Sequence, residues 1–388
     1  MSKKNKNAPV MEQEALPEKQ TKKKKKKGGV FGRIVRRFFL LLFTVILLLV
    51  ADLCLVMNLV FNGPSQAACE VLTMSLTEAS ATKWVPGVFM GDERVEEIRA
   101  SVNIELPDDF TDTSQIIINM DSSLGGTSDE WANYPDGIRI ESYAGNTFNA
   151  HIMIVRDPSR VYMGTSAEKF STSVPGKRIT EAMDATPDAI AAVNAGAFYD
   201  DGTSSPVVGS VPAGLVFAGG SLRWDAYHGL VPQKGFAGFN KDNILIVAKS
   251  MTAAEAEAQD IRDGCEFGPV LIMNGEINMD AYNTNSGYNP RTAIGQRSDG
   301  TVIFVCIDGR QANSLGGTYK DVIDIMIEYG AVNACNMDGG SSSVMLYRDT
   351  YGLYGEAGQV QMINNYSLLQ SQPRKMPNYW MVSATGKE

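Results

Sequence analysis

Two rhythms of apolar residues run along this chain, and the stretch Thr301 to Tyr347 contains both. Thr301 to Ile307 is a short β-branched run that stops at Asp308-Gly309-Arg310, the pattern of a buried strand ending in a turn. Ser314 to Thr318 then offers cap-type residues. Val322, Ile323, Met326 and Tyr329 follow on one helical face, with Gly330 where a C-cap glycine belongs. A second apolar run, Ala331 to Met337, stops at Asp338-Gly339-Gly340. Strand, helix and strand predict a βαβ unit with a right-handed crossover. Its two strands would run parallel and set Asp308 and Asp338 side by side at their carboxyl ends, where open α/β sheets bind ligands.

Elsewhere the same rhythms predict further elements. Ile138 to Tyr143 and Ala150 to Val155 read as a hairpin-like pair, and Gln115 to Met120, Ile190 to Val193, Ile244 to Ala248 and Gly268 to Met273 as strands. Ala253 to Arg262 reads as a helix, and Asn274-Gly275 is a strong hairpin turn. Phe38 to Phe61 is apolar for 24 residues with one charge, Asp52, long enough to span a bilayer. After it, Ala67 to Ser101 carries two short helical patterns separated by Pro86-Gly87, and Asn103 to Pro135 is polar and turn-rich. The expected fold is α/β (mixed α+β): one globular ectodomain with a mixed parallel and antiparallel sheet flanked by helices, preceded by one N-terminal transmembrane helix. The segments are a basic, disordered cytoplasmic tail over 1–37, the transmembrane helix over 38–61, a helical stalk and linker over 62–135, and the globular domain over 136–388.

Charge sharpens this picture. Residues 1–37 hold 13 Lys or Arg and three Glu, whereas the remainder holds 22 basic and 41 acidic residues, a net −19 within a total of −9. Nucleic acid is therefore excluded as a partner of the main body, which lacks the basic face a phosphate track needs. Basic residues crowd the N-terminal side of the span, so the positive-inside rule makes this a single-pass protein of the cell membrane with a cytoplasmic N-terminus and an extracellular domain. A cleaved signal peptide, with Ser65-Gln66-Ala67 as its cleavage site, is the alternative. Five cysteines are too few for a disulfide scaffold and show no zinc spacing. Cys306 and Cys335, on the two predicted strands, allow either a bridge or two buried thiols.

Only His151 and His228 are present, which rules out a two- or three-histidine zinc site. There is no GxSxG elbow, P-loop or EF-hand pattern. Acid–base chemistry therefore falls to carboxylates. In Asp338-Gly339-Gly340-Ser341-Ser342-Ser343 the glycines let backbone N–H groups converge as an anion nest, to which the hydroxyls of Ser341 and Ser342 add donors; a plain Gly-Ser hairpin loop has the same composition. Arg291 and Arg310 lie near predicted turns and can clamp a phosphate or serve as surface ion-pair partners. Asn194, in Asn-Ala-Gly-Ala-Phe, is a turn residue or a polar group at the same edge.

Taken together, these stretches resemble the phosphodiester glycosidase family. The matching segments run in order: AVNAGAFY at Ala192 to Tyr199, NPRTAIG at Asn289 to Gly295, IDGR at Ile307 to Arg310 and GAVNACNMDGGSSSVM at Gly330 to Met345. Pro373-Arg374 precedes a last apolar strand around Tyr379 to Val382, in reverse of the family's usual Arg-Pro order; Ser341 replaces a glycine-like position. The resemblance implies a hydrolase that cleaves a sugar-1-phosphodiester bond of the N-acetylglucosamine-1-phosphate type. The tail, span and stalk resemble bacterial surface members, so the implied substrate is a glycopolymer of the cell envelope or an exported exopolysaccharide. On this reading Asp338 and Asp308 take the carboxylate roles, while Arg291, Arg310, Asn194, Gly339, Gly340, Ser341 and Ser342 hold substrate or phosphate. No cofactor is required; Ca²⁺, an oxygen-seeking ion needing no histidine, is the metal either aspartate would take. A non-catalytic module that binds anionic wall polymer, and a transferase acting on phosphate-linked polysaccharide, are the competing readings.

Overall fold

The computed structural model describes residues 30–78, 81–101, 111–118, 131–199, 209–229, 234–366 and 372–386. The basic run Lys22 to Lys27 lies outside them. The chain divides into two units, Met1–Val56 and Met57–Glu388. The first holds most of the helix Val30–Asn62, whose stretch Gly32–Asn62 is long and apolar enough to cross a membrane. Its leucines and phenylalanines are exposed all round, unlike those of a core helix, which fits a membrane anchor or a signal sequence.

In the second unit the expected stalk is three short helices, Gln66–Thr77, Val85–Met90 and Asp92–Ser101. Ser65 caps the first, its hydroxyl accepting from Ala68 N at 3.3 Å. Pro86 lies in the first turn of the second, where its missing N–H costs nothing. Buried Phe61, Cys69, Thr73 and Val95 sit among them, and Phe61 stacks on Phe89 at 5.6 Å between ring centroids. This neck is folded into a cluster. The predicted strand at Gln115 to Met120 gives way to a 3₁₀ turn, Thr113–Gln115, capped by Asp112; Asn119 and Met120 lie outside the described residues.

The globular part is mixed α/β. Among the described residues its strands form a seven-stranded sheet, two five-stranded sheets and a two-stranded ladder, with every ladder antiparallel. The seven-stranded order is Ile138–Ala144, Asn149–Val155, Val302–Ile307, Arg291–Arg297, Ala331–Met337, Val270–Met273 and Glu276–Ile277. The run at 302–307 is apolar without alternation because both faces are covered. Ile303, Val305 and Ile307 pack toward Val322, Ile323, Ile325 and Met326 of the helix Tyr319–Glu328, while Val302, Phe304 and Cys306 join Val193, Phe239 and Trp380 from the other sheets. Thr318 begins that helix with a capping box to Asp321, and Gly330 follows it at φ +82.

The strands before and after this helix do run parallel, but they are not neighbours. Arg291–Arg297 lies between them, antiparallel to both: Thr292 pairs with Cys306 on one side and Met337 on the other. Cys306 and Cys335 are both buried free thiols, one on each flanking strand. The helix predicted over Ala253 to Arg262 stops at Ala258, and Ile261–Glu266 is a strand. The Asn274-Gly275 hairpin forms as expected, with both residues at positive φ.

Candidate active site

Asp308 and Asp338 reach the same sheet edge from strands two positions apart, about 10 Å at the usual strand spacing, and their surroundings differ. Asp308 is 1 % exposed. One oxygen accepts from Asn365 N at 2.8 Å, the other from Asn365 Nδ2 at 2.7 Å, and His151 Nε2 lies 3.4 Å away. Its backbone is pinned as well, N to Asn149 O and O to the Ser314 hydroxyl. Asp308 thus fastens segment 363–366 to the sheet edge. Replacing it with Ala removes both hydrogen bonds from Asn365, whose donors can turn to water, so Asp308→Ala is expected to cost about 1–2 kcal/mol in urea denaturation and less than roughly tenfold in kcat. A larger kcat loss at unchanged stability would return Asp308 to the chemistry.

Asp338 is only partly exposed, and burial pushes its carboxyl up to about 6, opposed by the Ser342 hydroxyl, Arg374, the Gly339 N–H and Lys234. Its N donates to Ala195 O at 3.0 Å, and its O accepts from Asn194 Nδ2 at 2.5 Å. Asn194 is fully buried, and its oxygen also accepts from Thr292 Oγ1 and Val344 N. The Asn-Ala-Gly-Ala-Phe turn therefore holds the Asp338 backbone through Asn194, a framework role. A carboxyl that titrates near neutrality at a sheet edge is suited to proton transfer.

The loop after Asp338 is not an open nest. Gly340 N donates to Pro290 O, Ser342 N to Gly339 O and Ser343 N to Gly340 O, so these amides are already taken. The glycines serve close approach instead: a Cβ on Gly339 would lie 2.7 Å from Pro290 O, and Gly340 sits at φ +59. Ser341 presents its hydroxyl, which accepts from Arg374 Nη1 at 3.4 Å, and its carbonyl accepts from Tyr366 OH at 2.5 Å. The Arg374 guanidinium lies over the Phe198 ring at 5.1 Å. Sequence patterns alone do not bring Arg374, Phe198, Tyr366 or Lys234 to this site. Pro373-Arg374 is visible beside a strand, but nothing local ties it to Asp338.

Arg291 and Arg310 are engaged with other partners. Arg291, 2 % exposed, stacks over Tyr319 at 4.3 Å and donates to the carbonyls of Gly317, Ser286 and Gly287 and to Glu78. Arg310, at φ +53, donates to Asn289 Oδ1 at 2.7 Å and to the neck. Among the described residues no cluster of three or more His, Cys, Asp or Glu side chains is arranged to hold a metal.

Residues 187–383, just over half of the chain, match the family model described as phosphodiester glycosidase, and the chain belongs to that family of glycosidase-type hydrolases. The SPbeta prophage-derived uncharacterized protein YomE of Bacillus subtilis (strain 168) is 38% identical over 85 residues, which are 21% of this chain and 13% of that protein. The chain therefore spans only a small part of that relative. Among solved structures, the zebrafish N-acetylglucosamine-1-phosphodiester alpha-N-acetylglucosaminidase catalytic domain, auto-inhibited by its pro-peptide, has a TM-score of 0.46 at 20% identity, over 63% of this chain and 82% of that one. A hypothetical protein from Synechocystis gives 0.41 at 14% identity, over 63% of this chain and 61% of that one.

Proposed function

We propose that the ectodomain hydrolyses a sugar-1-phosphodiester of the N-acetylglucosamine-1-phosphate type, within a glycopolymer reached at the cell surface from a single-pass anchor. The observation that carries this is the pairing of a near-neutral carboxyl, Asp338, with an aromatic-backed guanidinium, Arg374, across the Ser341 hydroxyl. Cleavage at the anomeric carbon builds oxocarbenium-like charge there and sends electrons to a phosphate that needs little proton assistance. A carboxylate beside the sugar and a cation beside the phosphate meet those two demands. Ionised Asp338 faces the anomeric carbon or takes a proton from the attacking water. Arg374 and Lys234 hold the phosphate, and Ser341 orients one of its oxygens. The Phe198 ring fixes the plane of the guanidinium. Asn194, Gly339 and Gly340 keep the Asp338 backbone in place, with Ser342 beside the carboxyl. Asp308 acts at a distance by anchoring the Asn365–Tyr366 segment, and Tyr366 in turn bonds Ser341.

The full chain in detergent is expected to release N-acetylglucosamine from a uridine-free, simple alkyl diester of N-acetylglucosamine-1-phosphate. The sugar is quantified enzymatically beside the Asp338→Asn variant. No release by either protein, with the parent folded, would remove this substrate class.

A further inference from the structure

Glu266, 2 % exposed, is a buried carboxyl at the end of the strand Ile261–Glu266. Its neighbour Cys265 sets Sγ 3.9 Å from Sδ of Met337, the residue before Asp338. The Asn-Ala-Gly-Ala-Phe turn joins the two positions as well. Ala195 O accepts from Asp338 N at 3.0 Å, and Glu266 O accepts from Ala197 N at 3.2 Å. Tyr227 OH donates to Glu266 Oε1 at 2.6 Å, and Leu215 N to Oε2 at 3.2 Å. Burial raises the carboxyl's proton affinity, opposed by the Tyr227 hydroxyl, the Leu215 N–H, and both the charge and the backbone N–H of Lys234. The residue after Lys234 is laid against the same strand end. Phe267 N donates to Gly235 O at 2.8 Å, and a Cβ on Gly235 would lie 2.7 Å from Phe267 O.

Lys234 is exposed, and among the described residues no ion pair holds its ammonium. Its charge also opposes the upward shift of Asp338, so it stands within electrostatic reach of both carboxyls. Glu266 meets the Lys234 backbone and leaves the ammonium toward solvent. We infer that Glu266 is a positioning residue for the proposed reaction: its carboxylate braces the Lys234 backbone and the Tyr227 hydroxyl, and so delivers the Lys234 ammonium to the substrate phosphate beside Arg374. This deepens the phosphodiester reading of the site and rests on it. A glutamine at 266 has one acceptor oxygen where the carboxylate has two. Its NH₂ would face one of the donors that now converge there, and the Lys234 backbone would have to shift.

The test is calorimetric titration of the full chain in detergent at pH 8 with an uncleavable monoanion, the C-glycosyl methylphosphonate monoalkyl ester of N-acetylglucosamine, in which CH₂ replaces the anomeric oxygen. Lys234→Ala is expected to bind it about tenfold more weakly than the parent. Glu266→Gln should lose at least about threefold, and the double variant should lie within about twofold of Lys234→Ala alone. Losses that multiply, no loss in Glu266→Gln, or a parent that does not bind overturn the inference. Should Glu266→Gln fail to fold, Tyr227→Phe loosens the same carboxylate. It is expected to lose at least about twofold in the parent background and nothing beside Lys234→Ala; no loss in the parent background overturns the inference. In turnover, the acid limb of kcat/KM should move to higher pH in Glu266→Gln as in Lys234→Ala, since less positive charge then opposes the burial of Asp338. A limb left in place by Glu266→Gln overturns the inference. Binding with losses that do not multiply, but no hydrolysis of the diester, retains this inference and removes the hydrolase reading; hydrolysis with losses that multiply does the opposite.

Discussion

Asp338→Asn is expected to lower kcat by at least about 10³-fold while raising the melting temperature at pH 8 by roughly 3–8 °C. Both effects come from the same burial. Folding moves this carboxyl from 3.8 to about 6, so the folded chain holds the proton more tightly than the unfolded one. The resulting stabilisation is complete below pH 3.8 and is lost as the pH rises through about 6. At pH 8 the ionised carboxylate then opposes folding by up to about 3 kcal/mol, a tenfold change in proton affinity being worth about 1.4 kcal/mol. Asparagine keeps the shape and removes the charge, so the variant gains at pH 8 and gains nothing at pH 4. In the parent, kcat/KM should fall about tenfold per pH unit below 6, as Asp338 takes up its proton. A variant that melts lower at both pH values, or a rate with no acid limb near 6, would count against the role given to Asp338.

Arg374→Ala should follow with a kcat loss of roughly 10²–10³-fold, since it removes the guanidinium that faces Ser341 and the charge that opposes the upward shift of Asp338. Its effect on stability should be small, about 1 kcal/mol, from the lost contact with the Phe198 ring. The acid limb of the rate profile should move to higher pH than in the parent, because burial would then act on Asp338 with less opposition. Arg374→Lys is expected to recover only part of the rate. An ammonium keeps the charge, but it neither lies flat on the ring nor pairs with two oxygens at once. Unchanged kcat in Arg374→Ala would place the phosphate elsewhere.

The difference between Asp308 and Asp338 traces to one strand. Arg291–Arg297 and Val302–Ile307 are joined by Ser298 to Thr301, with Gly300 at φ +93, so they pair as a hairpin. Asp299-Gly300 between two apolar runs is itself a hairpin signal in the sequence. The hairpin covers one edge of Val302–Ile307 and Asn149–Val155 covers the other, so the strand returning from the helix adds to the remaining edge of Arg291–Arg297. Asp308 then faces Asn365, and Asp338 faces Arg374.

The local elements and the family were legible in the chain itself. The helix Tyr319–Glu328 with its cap and terminal glycine, the apolar strands on either side, the Asn274-Gly275 turn and the long apolar N-terminal helix all rest on side-chain periodicity and turn chemistry within a few residues. The same patterns put Asp338 at the end of a buried strand. Long-range packing was needed to tie Asp308 to Asn365, to join Arg374 to Ser341 over Phe198, and to bring Glu78 of the neck to Arg291, a residue 213 positions away in sequence. Those pairings depend on strand order and on where the neck docks. Both are set by the total area buried and the donors satisfied across the whole domain, and no local pattern records that balance.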